Sequence, residues 1–470
     1  MKLIKTLAAG SLALGFAGSA LAVTDVYVCG STAFRSAVVT AEIDVLGGAG
    51  AVATAENDTK AVTATTISDV SGTDASSNAI VFHNHWTGSV AGVTDVTNSN
   101  ALSYIDDSLL GAPGSNVQNA AAADNVIPQV TMSDNVYTDA VTTLANANTT
   151  GKNFAKNITG LTDGGTLGEP AVAVVTFQWE MGANNAGNPA GWTSLNITQD
   201  QAAYLLTNGS IPLSVVDGSP ADAGNFLLFV GRNEDSGTRV LYQGESWGAG
   251  LTPKVISSST VQWMAEQSTT PGGAAIATGY PTSSTGAGYP AISNQGGITA
   301  IKKWPGSWTL NTETAVTWTT PGHSGYNGGG DVAAILSSPN PNLGLTFTNA
   351  GDTAGLGAGY NAATSNIYLV TLIGTHDAAS IVGGTLLSYN GIGISDNNIE
   401  TGQYALWNYE HLYYLSTLAG TPLTAANELA DELYNFTEAQ FGGSPAAGSP
   451  GIPLSLMLVS RGTGAGSQIK

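Results

Sequence analysis

The sequence predicts an α/β protein in which short apolar strands alternate with helices that begin at small polar residues. Runs such as 26–28 and 226–230 have the composition and length of buried strands. Each run leads to a glycine, and Ser and Thr residues then precede a segment that can be helical. This order of strand, glycine, hydroxyl residues and helix predicts a sheet with helices packed on its faces.

The start of the chain has the pattern of an export signal. Lys2 and Lys5 precede a short apolar stretch, and Ala20-Leu21-Ala22 has the small residues of a cleavage site. The apolar stretch is shorter than the ~20 residues of a membrane span, and no later stretch is long enough. We therefore expect residues 1–22 to be a signal peptide. The mature protein would begin near Val23 as a soluble periplasmic or extracellular protein.

The charge balance bears on the class of partner. The 470 residues include 34 acidic and 13 basic side chains, which give a net charge of -21. Such an acidic surface repels nucleic acid and anionic membranes. A small anion can still bind where local dipoles and arginines dominate, because bulk charges are screened over ~8–10 Å. Cys29 is the only cysteine, which excludes an internal disulfide, a cysteine zinc cluster and a thiol redox pair; no cofactor is predicted.

The first third of the chain contains three strands that end in polar turns. Residues 23–30 are predicted to be a strand that delivers Ser31, Thr32 and Ala33 to the start of a helix over 36–46. Residues 79–86 form a second strand, which ends in Thr-Gly and Ser89. Residues 125–132 form a third, followed directly by Ser133 and Asp134. Each turn places hydroxyl groups or a carboxylate at a strand end.

The middle of the chain repeats this arrangement. Residues 170–179 are predicted to be a buried strand, and residues 199–209 a helix with a Thr198–Gln201 capping box. The strand 226–230 then leads to Arg232, and Ser236-Gly237-Thr238 opens another helix. Free N–H groups and the helix dipole favour an anion at such a start, and a guanidinium group fits a tetrahedral oxyanion. The stretch therefore predicts an anion site.

Several of these stretches resemble, in the same order, the motifs of the periplasmic phosphate-binding proteins, the solute receptors of phosphate ABC transporters. Residues 232–238 resemble the R-x-D-x-S-G-T segment of that family, and residues 30–34 resemble its first phosphate-binding loop. Residues 87–89 loosely resemble its G-S-x-x-G turn, and residues 133–134 resemble its S-D segment. Residues 322–325 are similar to its G-x-S-G segment.

The resemblance implies a two-lobe, type 2 periplasmic-binding-protein fold. Each lobe would be a mixed sheet flanked by helices, with the second lobe inserted into the first. Residues 23–170 and 371–470 would form the first lobe, and residues 171–370 the second. The glycine-, serine- and tryptophan-rich residues from about 243 to 320 would be an insertion in the second lobe.

The resemblance also implies a function. The chain would bind phosphate or a related oxyanion for uptake by an ABC transporter permease, as a monomer and without catalysis. Asp134 would accept a hydrogen bond from a protonated ligand oxygen, and Arg232 would neutralise ligand charge. The remaining ligand contacts would be Ser31, Thr32, Ala33, Ser89, Ser133, Ser236, Gly237 and Thr238.

Other functions are compatible with parts of the sequence. The first alternative is a secreted or surface-associated protein that scavenges or adheres, with an altered or empty cleft. A phosphatase would need a metal cluster or a base and nucleophile pair, and none stands at recognisable spacing. The Gly-x-Ser-x-Gly pattern around Ser246 follows no strand, so it does not predict a hydrolase. His83 and His85 share one strand face, but no third metal ligand stands beside them.

Overall fold

A computed structural model describes the fold of most of the chain. The described residues are 23–137, 161–167, 171–182, 195–233, 236–247, 262–267, 298–304, 325–326, 328–337, 346–347, 356, 360–361, 364–462 and 469–470. The predicted signal peptide and most of the predicted insertion lie outside these ranges. Among the described residues, no helix combines the length and the apolar composition needed to span a bilayer.

Twenty strands are present in the described residues. In chain order they are β1 Thr24–Gly30, β2 Ala53–Glu56, β3 Ile67–Thr73, β4 Ala79–His85, β5 Leu102–Ile105, β6 Asn116–Val117, β7 Ala122–Val126, β8 Val130–Ser133, β9 Leu161–Asp163, β10 Ala173–Met181, β11 Asn196–Ile197, β12 Ser210–Pro212, β13 Phe226–Phe229, β14 Gln262–Gln267, β15 Ile298–Trp304, β16 Thr346–Phe347, β17 Ile367–Gly374, β18 Thr385–Tyr389, β19 Trp407–Leu415 and β20 Gly451–Ile452.

Nine α-helices are described. They are α1 Arg35–Val45, α2 Ser89–Asn98, α3 Gln199–Asn208, α4 Leu213–Asp217, α5 Gly237–Trp247, α6 Gly329–Ser337, α7 Thr375–Ala378, α8 Asp396–Glu400 and α9 Thr421–Asn435. The capping box predicted for α3 is present, because Thr198 accepts from the Gln201 backbone and Gln201 accepts from the Thr198 backbone.

Most strands belong to one mixed sheet of 15 strands. Its main row runs β12-β13-β17-β10-β19-β8-β1-β4-β3-β2-β6. Strand β1 is parallel to both β4 and β8, and β13 is parallel to β17, whereas β10 is antiparallel to β17 and β19. We refer to β8, β1, β4, β3, β2 and β6 as the first sheet half and to β17, β13 and β12 as the second sheet half.

Strand β10 connects the two sheet halves along its own length. Its first residues, 173–176, pair with β19, and residues 177–181 pair with β17. Strand β19 continues the connection, because its later residues 411–414 pair with β8. All nine residues of β10 are buried, although the polar residues Thr176, Gln178 and Glu180 interrupt its apolar sequence.

The hydrophobic core lies along the main sheet. Apolar side chains of β1, β10 and β19 are buried together with those of α1, α3 and α9. A smaller apolar cluster lies between β13, β17 and α6. The predicted mixed α/β class, with a large sheet flanked by helices, is confirmed by this arrangement, while the lobe boundaries stay a prediction.

Two predicted elements differ from the structure. Residues 125–132 do not form one strand: β7 ends at Val126 and pairs with β5 in a separate two-stranded sheet, and β8 begins at Val130 in the main sheet. Pro128 lies between them and has no N–H group for a strand ladder. Residues 425–441 have the apolar pattern of an amphipathic helix, which predicts one helix over this range; α9 instead begins at Thr421 and ends at Asn435. Pro422 in its first turn favours the earlier start.

Candidate functional site

The first candidate loop follows β1 and is tied to the end of β8. The Ser31 backbone N–H donates to the Met132 carbonyl at 2.9 Å. Gly30 has a φ of 113°, and a Cβ atom there would lie 2.1 Å from the same carbonyl oxygen. Only glycine fits this turn without a backbone shift. The tight turn places Ser31, Thr32 and Ala33, all buried, at the start of α1.

The turns after β4 and β8 join this loop. The Gly88 N–H donates to the Gly30 carbonyl at 2.8 Å, and the Asp134 N–H donates to the Ser89 hydroxyl at 3.3 Å. The Ser133 hydroxyl donates to the Asn135 carbonyl at 2.7 Å and so closes its own turn. Three parallel strands thus bring their carboxyl ends to one edge, where such sheets hold ligands at helix starts.

The second candidate segment follows β13. The Arg232 side chain is buried, with its Nε donating to the Tyr326 carbonyl at 3.2 Å. The Arg232 carbonyl accepts hydrogen bonds from the side chains of Gln262 at 3.2 Å and Arg239 at 3.3 Å. These contacts hold the backbone that leads to α5. Ser236, Gly237 and Thr238 follow at the start of α5, with both hydroxyl residues buried.

The two segments meet at Asp134 and Gly237. A Cβ atom on Gly237 would lie 1.4 Å from Asp134 Oδ1 and 2.2 Å from Asn135 Nδ2. The carboxylate therefore packs directly on the first residue of α5, from the opposite sheet half. A second approach occurs where a Cβ atom on Gly374, at the end of β17, would lie 3.1 Å from the Ala33 Cβ. The candidate ligand contacts of the first sheet half therefore lie next to the start of α5, which carries those of the second half.

Burial dominates the electrostatics of this region. It raises the pKa of Asp134 to about 6, although Ser89 and the Arg232 charge act in the opposite direction. Burial lowers the pKa of Arg232, and the charges of Asp377, Asp134 and Asp331 oppose that shift. A buried guanidinium group surrounded by carboxylates stays charged at neutral pH. The region therefore contains a cation, a carboxylate that titrates near pH 6 and the N-terminus of an 11-residue helix.

A small cavity adjoins the first loop. Its volume is about 50 Å³, and its lining includes Thr32, Arg35 and Trp86, which follow strands of the first sheet half, and Gly328 and Asp331 at the start of α6. Its walls come from widely separated parts of the chain. A space large enough for a water molecule therefore lies between the start of α1 and the start of α6.

Some residues of this region were not predicted as ligand contacts. Asn408 donates from Nδ2 to the Asp134 carbonyl at 2.6 Å, and Glu410 is fully buried on the same strand. Arg35 donates to the Thr32 carbonyl at 2.5 Å and to Asp377 at 2.8 Å. The signal for Asn408 and Glu410 is visible in the sequence, because two polar residues interrupt an apolar and aromatic strand at a spacing of two.

Other motifs lie apart from this site. His83 pairs with Asp69 at 3.0 Å and Asp25 at 3.5 Å, and His85 contacts the Ser103 carbonyl at 3.0 Å. Ser246 lies in the last turn of α5, within a continuous helix rather than at a strand-to-helix turn. Of the segment 322–325, only Gly325 lies within the described residues. A Cβ atom there would lie 2.2 Å from the Arg232 carbonyl oxygen.

Neither a protein-family model nor a curated protein matches this chain. Among solved structures, it is similar to a putative phosphate ABC transporter substrate-binding protein with bound phosphate from Clostridium perfringens, with 10% identity, a TM-score of 0.42, and coverage of 92% of this chain and 100% of that chain. An ABC-type phosphate transport receptor from Vibrio cholerae has 9% identity, a TM-score of 0.33 and coverage of 87% and 94%. PstS from Borrelia burgdorferi has 11% identity, a TM-score of 0.31 and coverage of 88% and 93%.

Proposed function

We propose that this protein binds phosphate or a related tetrahedral oxyanion where the starts of α1 and α5 converge. The observation that carries the proposal is the packing of the Asp134 carboxylate on Gly237, with the Arg232 charge acting on the same carboxylate. An anionic group already occupies the vicinity of a helix start there, which is the position that the helix dipole favours. An oxyanion placed beside it would meet backbone N–H groups from both sheet halves.

Each residue then has a defined role. Arg232 offsets ligand charge, and the backbone and hydroxyl groups of Ser236, Gly237 and Thr238 donate from the second sheet half. Ser31, Thr32, Ala33 and Ser89 contribute from the first half, while Ser133 shapes the turn that positions Asp134. Ionised Asp134 accepts a hydrogen bond from a ligand oxygen that still carries a proton. It thereby favours hydrogen phosphate over sulfate.

The biological role follows from the sequence. The signal pattern in residues 1–22 and the ordered resemblance to phosphate receptors support an exported protein that delivers its ligand to an ABC permease. The connection of two sheet halves through β10 and β19 suits a receptor whose two lobes close on a ligand. In this role no bond of the ligand is broken, so the protein is not an enzyme.

Titration calorimetry tests the proposal. Protein refolded without ligand should release or absorb heat with phosphate and arsenate, and bind sulfate more weakly. Arg232→Gln should weaken phosphate binding at least about tenfold, the effect of one charge-assisted hydrogen bond. Lys470→Gln removes the same charge from an exposed position at the chain end and should leave binding unchanged.

Two results would contradict the proposal. One is a folded wild-type sample that gives no heat with any of the three anions. The other is equal weakening by Arg232→Gln and Lys470→Gln, since that would indicate an unspecific charge effect. Asp134→Asn tests the selectivity. It should narrow the difference in affinity between phosphate and sulfate, because the amide can donate to a ligand oxygen that carries no proton.

A further inference from the structure

Glu410 lies on β19 next to the residue that pairs with Ser133, and the Ser31 hydroxyl of the first candidate loop is near its carboxyl group. It is opposite Ala173 in the pairing of β19 with β10, and its side chain is fully buried. Residues two apart in a strand share a face, so Glu410 points to the same side as Asn408, which donates to the Asp134 carbonyl at 2.6 Å. The Asp134 charge and the Ser31 hydroxyl both act on the Glu410 carboxyl group.

The Glu410 carboxyl group has the Ser31 hydroxyl as a polar neighbour, which lowers the pKa of Glu410 by less than burial raises it. Neither of its oxygens, and also not the Ser31 hydroxyl oxygen, forms a well-aligned hydrogen bond in the part of the chain that the structure describes. An ionised carboxylate buried without a donor costs several kcal/mol, and such a group binds a proton instead. Accordingly, burial raises the pKa of Glu410 well above its usual value, and the Asp134 charge raises it further.

The protonation state of Glu410 decides what the Ser31 hydroxyl can offer to a ligand. A hydroxyl group has one hydrogen to donate and two lone pairs that accept. Beside an ionised carboxylate, the Ser31 hydrogen would turn toward Glu410 and leave lone pairs toward the cleft, where they repel an anion. Beside a neutral acid, Ser31 can accept from Glu410 and keep its own hydrogen for the ligand.

We propose that Glu410 is a positioning residue that donates a hydrogen bond as a neutral acid to the Ser31 hydroxyl oxygen and so orients Ser31 as a donor to the anion. This inference rests on the proposed function and adds to its ligand class. The site would select an oxyanion with an unprotonated oxygen at Ser31 and a protonated oxygen at Asp134. Glu410 itself does not contact the ligand.

The test is phosphate titration of Glu410→Gln, Glu410→Met, Ser31→Ala and the double variant Ser31→Ala with Glu410→Met. The amide of Glu410→Gln still donates, so its affinity should stay within about threefold of wild type. Glu410→Met has a similar length and no donor, and should bind about tenfold more weakly. In the Ser31→Ala background, Glu410→Met should have no further effect, because the hydroxyl that it orients is gone.

Infrared spectroscopy provides a readout that does not depend on the Met variant folding. The wild type minus Glu410→Gln difference spectrum at neutral pH should contain the carbonyl band of a protonated carboxylic acid, and Ser31→Ala should shift that band. Absence of the band overturns the inference, as does equal weakening by the Gln and Met variants or additive effects of the two substitutions. If wild-type protein gives the infrared band but no heat on titration with phosphate, the proposed function is contradicted. The role of Glu410 in ligand binding is then contradicted as well.

Discussion

Arg35 and Asp377 form a buried ion pair of 2.8 Å between residues 342 positions apart. Arg35 is the first residue of α1, which follows β1 of the first sheet half, and Asp377 lies in α7 directly after β17 of the second half. The same Arg35 side chain donates to the Thr32 carbonyl. One guanidinium group therefore connects the first candidate loop to the second sheet half.

This pair predicts a large cost for removing one partner alone. Asp377→Asn leaves the Arg35 charge buried without a counter-ion and should lower the free energy of unfolding by about 3–5 kcal/mol. The double variant Arg35→Met with Asp377→Leu removes both charges, and we expect it to be more stable than Asp377→Asn. Urea denaturation measures both. A single variant as stable as wild type would show that the pair does not hold these elements together.

Gly237 should tolerate no side chain. Gly237→Ala puts a methyl group where the Asp134 carboxylate lies, and it should lower the free energy of unfolding by about 1–3 kcal/mol. It should also weaken phosphate binding at least about tenfold, because Asp134 and the start of α5 must separate. Gly393→Ala is the control, since a Cβ atom there meets nothing within 4 Å. Calorimetry and denaturation that show equal effects for both substitutions would contradict the close contact.

Stability should fall as pH rises, because a buried carboxyl group of α1 prefers its protonated form. Burial raises the pKa of Glu42 to about 8, against the hydrogen bond from Asn84. The folded state therefore binds more protons than the unfolded state between about pH 4.5 and pH 8. Across this window Glu42 should lower the free energy of unfolding by at most about 1.4 kcal/mol per pH unit.

Substitution identifies the contribution of Glu42 to this slope. Glu42→Gln keeps an acceptor for Asn84 and has no proton to lose, so it should be more stable than wild type at pH 8 and similar at pH 4.5. Glu438→Gln changes an exposed carboxylate and should leave the slope unchanged. Urea midpoints at several pH values measure the difference. Parallel pH profiles of wild type and Glu42→Gln would show that Glu42 ionises normally.

The capping box of α3 should contribute to stability without affecting the ligand. Thr198→Ala removes the acceptor for the Gln201 N–H and should lower the free energy of unfolding by about 1 kcal/mol. The control is Thr207→Ala, in the last turn of the same helix. The Thr207 hydroxyl donates to the Ala203 carbonyl at 2.8 Å, and its loss should leave the free energy of unfolding nearly unchanged. Phosphate titration should give the same affinity for both variants. A binding defect in Thr198→Ala would connect α3 to the site.

The local elements of this protein, and the chemistry at their ends, can be predicted from short stretches of its amino-acid sequence. Strand β1, the capping box of α3, strand β13 and the start of α5 could each be predicted, because apolar periodicity and capping residues act within a few positions. The resemblance of residues 30–34, 133–134 and 232–238 to one receptor family also depended only on short segments. Local signals failed where Pro128 divided a single apolar run into two strands in different sheets.

Which of these segments meet depends on the way the whole chain folds. The packing of Asp134 on Gly237, the Arg35–Asp377 pair and the proximity of Glu410 to Ser31 all join residues far apart in the chain. No periodicity or spacing encodes such contacts, because they arise from the order in which β10 and β19 join the sheet halves. The pKa values of buried carboxyl groups depend on the same packing, since burial, which raises them, exists only in the folded chain.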